Sequence, residues 1–190
     1  PPGFTITTAV CGEYYQAGKA LPHGLLDDMK SAVAEIEQIT GRKLGGSEKP
    51  LLFSVRSGAK FSMPGMMDTV LNLGLNPQTL EAMVKETGDE RFVYDSYRRF
   101  IMMFSDVAFG IPKHDFDNEI FQVYKYKVGA KSDLDLTAEH LKEISALFLA
   151  HVKAEVGRNF PIDPWEQLQL AVEAVFRSWN NDRAIFYRRT

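Results

Sequence analysis

Residues 54–74 read Ser54-Val55-Arg56-Ser57-Gly58-Ala59-Lys60-Phe61-Ser62-Met63-Pro64-Gly65-Met66-Met67-Asp68-Thr69-Val70-Leu71-Asn72-Leu73-Gly74. An apolar run, Leu51 to Val55, delivers an arginine into a segment of small and kinked residues, and a second apolar run follows. The pattern predicts a buried strand over 51–55, a glycine-bearing loop, and an antiparallel return strand over 70–73. A rigid strand that ends in arginine, serine and glycine suits a polyanion such as a triphosphate. The guanidinium is a planar, permanently charged fork that matches phosphate oxygens. Gly58 and Gly65 let backbone amides approach a ligand, and Pro64 stiffens the turn. Ser57, Ser62 and Thr69 add hydroxyl donors; Asp68 is an acceptor that anchors the loop or sits near a metal. Met63, Met66 and Met67 read either as a soft lid over an adenine or as fillers of an irregular gap. The spacing fits neither the Walker A loop nor G-x-G-x-x-G. An ordinary hairpin connection over a buried methionine cluster is the alternative reading of the same residues.

Working outward, Phe4 to Thr8 alternates like a short strand, and a helix is expected over 9–17, ending near Gly18. Leu25, Met29, Val33 and Ile36 recur at helical spacing ahead of Gly41. Past Asn76-Pro77 the pattern becomes helical as far as Pro161. Short and long helices are expected over 78–86 and 90–109, with a weaker candidate over 113–127. Thr137 caps a helix whose apolar face is Leu141, Ile144, Phe148 and Val152. Asp163-Pro164-Trp165-Glu166 is a compact start signal: N-cap, proline at the first position, glutamate at the third. That helix buries Trp165, Leu168, Val172, Val175 and Trp179, and 184–187 then reads as a strand. The fold class is α+β with a helical insertion between strands.

A chain of 190 residues that is 45% hydrophobic can fill the core of one large domain or two small lobes. A net charge of −3 gives no general attraction to nucleic acid or anionic membrane, so any phosphate site must be local. The single Cys11 excludes an internal disulfide and reads as a small apolar helix residue. There is no apolar run of membrane-spanning length. His23, His114, His140 and His151 read as surface residues, and no His/Cys cluster has metal-ligand spacing. The chain opens on Pro1-Pro2-Gly3 and stops after Arg189-Thr190, so it is expected to be an excerpt of a larger protein. Tyr94, Tyr97, Arg98 and Arg99 form a cationic, aromatic group on one helix: a docking surface or a solvated face. Arg177, with Arg183, Arg188 and Arg189, reads as basic side chains paired to the core.

SVRSGAKFSMPGMMDTVLNLGLN (54–76), GDERFVYDSYRRFIMMFSDV (88–107), AVFRSWNNDRAIFYRR (174–189) and the opening PPGFTITTAVCGEYY resemble successive blocks of the N-terminal, ATP-binding region of the pyruvate phosphate dikinase family. The resemblance spans nearly the whole chain and is thinnest over 113–159, where isolated positions such as Asp135-Leu136-Thr137 fit. Phosphoenolpyruvate synthase-like dikinases share the Val55-Arg56-Ser57 start but continue with an acidic segment, where this chain has 62–69. The other alternative, a non-catalytic helical docking module, predicts a degraded loop.

The resemblance implies an ATP-grasp-type lobe at 1–75 with a glycine-rich phosphate loop. It implies an inserted helical subdomain at 76–162 and a return helix and strand at 163–190. Arg56 is then the catalytic and ATP-phosphate-binding arginine. Ser57, Gly58, Ser62, Met63, Pro64, Gly65, Met66, Met67, Asp68 and Thr69 are the phosphate clamp. Arg98 and Arg99 are implied to dock the phosphohistidine domain of the same polypeptide. The resemblance also implies Mg²⁺ with ATP, its ligands outside this chain, and a homodimeric parent in the cytoplasm or in an organelle such as a plastid or glycosome.

Overall fold

The computed structural model describes residues 1–58, 69–180 and 184–186. Among them the elements run α1 (Thr8–Gln16), α2 (Leu25–Thr40), β1 (Lys43–Leu44), β2 (Pro50–Leu51), β3 (Phe53–Arg56), β4 (Thr69–Leu73), α3 (Pro77–Thr87) and α4 (Glu90–Phe109). A π-helical turn, Asp115–Phe121, leads directly into α5 (Gln122–Lys127); a 3₁₀ turn, α6 (Ala138–Val156) and α7 (Pro164–Ser178) complete the order. The chain is mixed helix with two small sheets, in keeping with the α+β expectation.

The helices start where the sequence supplies caps. Asn76 accepts from the Thr79 amide while Thr79 reciprocates, with Pro77 at the first helical position of α3. Asp89, Thr137 and Asp163 cap α4, α6 and α7 through their side chains. The long helix over 90–109 stands as expected, ending at a left-handed Gly110. On α6 the four face residues Leu141, Ile144, Phe148 and Val152 are all fully buried, as are Met29 and Val33 on α2. On α7 the buried face is broader than expected: Leu168 and Val172 are joined by Gln167, Ala171, Ala174 and Phe176, while Trp165, Val175 and Trp179 are half-buried.

Three strand expectations need correction. Residues 1–7 form no strand, because period-two alternation makes a strand only beside a partner backbone; Phe4 instead meets the Phe53 ring edge-on at 6.4 Å. The run 51–55 is not one buried strand. Leu51 pairs in parallel with Leu44, whereas Phe53–Arg56 pairs antiparallel with β4, with an irregularity between Phe53 and Val55. Ser54 and Arg56 are exposed while Phe53 and Val55 are half-buried, because α7 covers one face of the pair. Residues 184–186 form a helical turn rather than a strand, a choice a short apolar run cannot make alone; Tyr187 lies outside the described residues.

α4 is the central helix and lies against α3, β4, α6 and α7. Val93, Phe100, Ile101 and Phe104 are fully buried on it, and Phe160 stacks edge-on against Phe100 and Phe104 with ring centroids 5.7 and 5.2 Å away. One hydrophobic cluster runs from Cys11 and Tyr14 on α1 to Phe176 on α7. Cys11 is buried in it, as expected of a small apolar residue. No helix among the described residues is long and apolar enough to cross a membrane.

One fully buried polar side chain ties the hairpin to the helices. Gln167 Oε1 accepts from the Gly74 amide at 2.9 Å, and its Nε2 donates to the carbonyls of Leu75 (3.0 Å) and Pro161 (2.9 Å). Asn76 adds a bond from Nδ2 to the Ile162 carbonyl at 3.0 Å. Gly74 sits at φ +108°, where a Cβ would also lie 3.1 Å from the Leu51 carbonyl oxygen. Replacing Gln167 with Ala strands one buried donor and two acceptors, so urea denaturation is expected to show a loss of roughly 2–4 kcal/mol. A loss under about 0.5 kcal/mol would mean the clamp is dispensable.

Candidate functional site

The base of the 57–68 segment is set by strand pairing. Arg56 is the last residue of β3 and lies opposite Thr69, the first residue of β4. The side chain of Arg56 is exposed and has no ion-pair partner among the described residues. Ser57 is half-buried and Gly58 exposed; the space where a Gly58 Cβ would go is empty, and its backbone lies outside the left-handed region. Thr69 is half-buried. Ser62, Met63, Pro64, Gly65, Met66, Met67 and Asp68 lie outside the described residues, as does any pairing of Arg56 with Asp68. The described part of the site is thus an exposed cation at the mouth of a hairpin whose far end is held by Gln167.

The arginine pair on α4 separates into two roles. Arg98 is 4% exposed. Its Nε donates to Asp95 Oδ1 at 2.7 Å, and its guanidinium carbon sits 4.0 Å from the centre of the Phe121 ring. Its Nη2 is 2.7 Å from Asp95 Oδ1 and 3.6 Å from Asp133 Oδ2, a charge contact without hydrogen-bond geometry. Burial pushes the Arg98 pKa down, and the neighbouring Asp95 carboxylate opposes that. An arginine enclosed by two carboxylates and a ring does not meet a docking partner, so the expected role of Arg98 in docking is corrected: it is an internal ion. Arg99 keeps 57% of its side chain in solvent while donating to Asp95 Oδ2 at 2.8 Å. Tyr97 is buried, and that burial, with Tyr94 beside it, pushes its hydroxyl up to about 12. Tyr94 is half-buried beneath the Lys142 ammonium, 5.2 Å from the ring centre.

The loop before α6 is bound to this ion cluster. Lys125 Nζ donates to Asp133 Oδ1 at 2.7 Å, and Arg91 donates to the carbonyls of Leu136 and Asp133 at 2.8 and 2.6 Å. The Lys125 hydrogen bond is the main reason that the Asp133 carboxyl titrates below its ordinary value. The sequence shows Asp95 at i,i+3 and i,i+4 from Arg98 and Arg99, but nothing in it shows that Asp133 and Phe121 close the other side.

Arg177 is exposed but partnered: Nη2 donates to the Ala108 carbonyl at 3.1 Å and Nη1 lies 3.9 Å from Glu173. Arg183, Arg188 and Arg189 lie outside the described residues. Two histidines differ from the surface reading. His140 accepts at Nδ1 from the Thr137 amide, and His151 packs edge-on against Phe116 at 5.1 Å with Nε2 buried. No group of three His, Cys, Asp or Glu side chains able to hold a metal ion occurs among the described residues.

Residues 19–190 match the family model described as "Pyruvate phosphate dikinase, AMP/ATP-binding domain". The chain is 52% identical over 190 residues to a pyruvate, phosphate dikinase of Clostridium symbiosum, covering 100% of this chain and 22% of that protein. It is 49% identical over 188 residues to the chloroplastic pyruvate, phosphate dikinase 1 of Arabidopsis thaliana, covering 99% of this chain and 19% of that protein. With the pyruvate, phosphate dikinase of Entamoeba histolytica the identity is 44% over 189 residues, 100% of this chain and 21% of that one. The chain therefore spans about a fifth of the length of the curated relatives it matches.

Two stability tests follow from the ion cluster. Arg98→Ala is expected to cost roughly 3 kcal/mol in chemical denaturation, whereas Arg99→Ala stays within about 0.5 kcal/mol. Equal effects would mean that burial does not separate the pair. Because Asp133 has a folded pKa below its ordinary 3.8, its contribution is present above that value and is lost as pH falls through the lower folded value. Asp133→Asn is expected to lower stability near neutrality and to flatten the fall below pH 3.8; an unchanged acid limb of the melting profile would show that Asp133 does not contribute.

Proposed function

The chain belongs to the pyruvate phosphate dikinase family, and from that premise we propose that it is part of the ATP-binding portion of a dikinase. The reaction is the interconversion of ATP, phosphate and pyruvate with AMP, diphosphate and phosphoenolpyruvate, carried through a phosphohistidine on a swivelling domain of the same polypeptide. The observation that carries this reading is the exposed Arg56, unpaired among the described residues, at the mouth of the β3–β4 hairpin.

Phosphoryl transfer asks the protein chiefly for positioning and for charge opposite the transferring group. Arg56 supplies that charge in a bidentate form, and the hairpin holds it at a strand end rather than on a free loop. Residues 57–69 close over the β- and γ-phosphates through backbone amides and hydroxyls, with Ser62, Met63, Pro64, Gly65, Met66, Met67 and Asp68 completing the clamp. Mg²⁺ accompanies ATP and neutralises developing charge when bound; its ligands come from outside these residues. In this reading 1–75 is the first ATP-grasp-type lobe, 76–162 the inserted helical subdomain and 163–190 the return to the first lobe. Arg99, the solvent-facing member of its pair, is the docking contact for the phosphohistidine domain, and the parent is a homodimer.

In the full-length polypeptide, Arg56→Ala is expected to weaken MgATP binding by about tenfold or more, the loss of a charge-assisted pair, and to nearly abolish ATP-dependent phosphorylation with an unchanged melting temperature. Arg56→Lys keeps the charge but not the fork and is expected to recover only part of the activity. Wild-type turnover in Arg56→Ala would remove the arginine from the mechanism. Gly65→Val is expected to reduce nucleotide use more than stability, measured by calorimetric titration with MgATP alongside thermal unfolding.

A further inference from the structure

Between the pairs Phe53–Leu73 and Val55–Val70, one residue of β3, Ser54, faces two of β4, Leu71 and Asn72. This is a β-bulge, in which an extra residue re-aims the side chains around it. Val70 and Leu73 are both fully buried although they stand three residues apart, a spacing that puts side chains on opposite faces of a regular strand. The extra residue keeps both inside and leaves Leu71 and Asn72 on the same face as Ser54. That face is the open one: Ser54 and Arg56 are exposed, Leu71 is 43% exposed and Asn72 is half-buried.

Asn72 holds φ at +58°, in the left-handed region that few side chains adopt. Asparagine visits that region because its short carboxamide can bond locally. The Leu75 amide donates to the Asn72 carbonyl at 3.4 Å, but the carboxamide itself has no partner among the described residues. Glycine meets the same backbone demand with no side chain, as Gly74 does two residues on. Backbone geometry therefore calls for no carboxamide here, yet one stands free on the face that carries Arg56.

We propose that the Asn72 carboxamide binds the ribose hydroxyls of the nucleotide, an inference that rests on the reading of Arg56 as the phosphate-binding arginine. Thr69 pairs with Arg56, and Asn72 lies three residues farther along β4, roughly 10 Å away at about 3.3 Å per residue. α7 lies against both strands and α4 against β4, on the side that buries Val70 and Leu73, so the opposite face is the one left for a ligand. A nucleotide whose β- and γ-phosphates meet Arg56 and whose length follows that face brings its sugar to Asn72. A carboxamide offers donors and an acceptor together, and each ribose hydroxyl both donates and accepts. Leu71 beside it presents an apolar surface to the sugar ring.

The test measures binding of MgATP and of its 2′,3′-dideoxy analogue to the full-length polypeptide by calorimetric titration, in the unmodified form, in Asn72→Gly and in Arg56→Ala. Glycine keeps the left-handed backbone and removes only the carboxamide. The unmodified polypeptide is expected to bind ATP about tenfold tighter than the dideoxy nucleotide, which leaves the carboxamide unmet. In Asn72→Gly, ATP binding is expected to weaken about tenfold and the ratio between the two nucleotides to fall to about one. A hairpin merely loosened by the substitution weakens both nucleotides alike and leaves the ratio as it was. That result, or an unmodified polypeptide that does not distinguish the two nucleotides, would overturn the ribose contact alone. Arg56→Ala is expected to weaken both nucleotides equally and to keep the ratio. Undiminished binding of both in Arg56→Ala would instead overturn the phosphate-site reading, and the ribose contact with it.

Discussion

The carboxamide of Gln167 is the constraint on which the arrangement of this chain depends. A primary amide offers both a donor and an acceptor, and here both are used in the dry interior. Oε1 takes the Gly74 amide at the end of the hairpin, and Nε2 takes two carbonyls from the segments that enter α3 and α7. Backbone groups 92 and 93 residues away in sequence are thereby held to one side chain. No apolar residue of similar volume replaces it, because each of those backbone groups is buried and carries a desolvation cost unless it is met. Gly74 accepts this approach only because it lacks a Cβ and tolerates φ +108°. The strand that carries Thr69 opposite Arg56 therefore starts from a rigid base.

α4 performs the corresponding task for the helices. Its apolar side fills the core with phenylalanine, and its C-terminal aromatic group is closed by Phe160 arriving from the segment after α6. Its polar side is not a simple solvated face. Arg98 is taken inside, balanced by Asp95 and Asp133 and covered by Phe121, while Arg99 one residue on remains in water. A buried guanidinium is tolerated where carboxylates and a ring replace its hydration, and breaking one partner is costly because the remaining charge has no water to turn to. The cluster fixes the loop at 131–136 and so the start of α6.

Much of the helical framework was legible in the sequence. α4, α6 and α7 carry cap residues and an apolar period of 3.6, both local signals, and the structure begins these helices at the caps. The antiparallel return of β4 onto β3 was equally legible, since two apolar runs flank one turn-rich segment. The strands expected at 4–8 and 184–187 were not, for a common reason. A strand is defined by a partner, and alternation or apolarity in five residues carries no information about whether one is near. At the candidate site, Arg56 was visible as a cation at a strand end. The split between Arg98 and Arg99 was not, because exposure depends on where Phe121 and Asp133 come to rest.

The sequence by itself determined the helical periods, the caps, the hairpin with arginine at its mouth, and the likeness that places the chain in its family. Each of these is written in neighbours a few residues apart, where backbone geometry links position to face. Only the tertiary structure decided which polar residues are interior. Gln167 reads as one more helix polar residue until its three backbone partners surround it, and Arg98 reads as surface charge until a ring and two carboxylates close over it. Burial is a property of the whole packed chain, and the energetic role of a polar group follows from burial rather than from its local sequence.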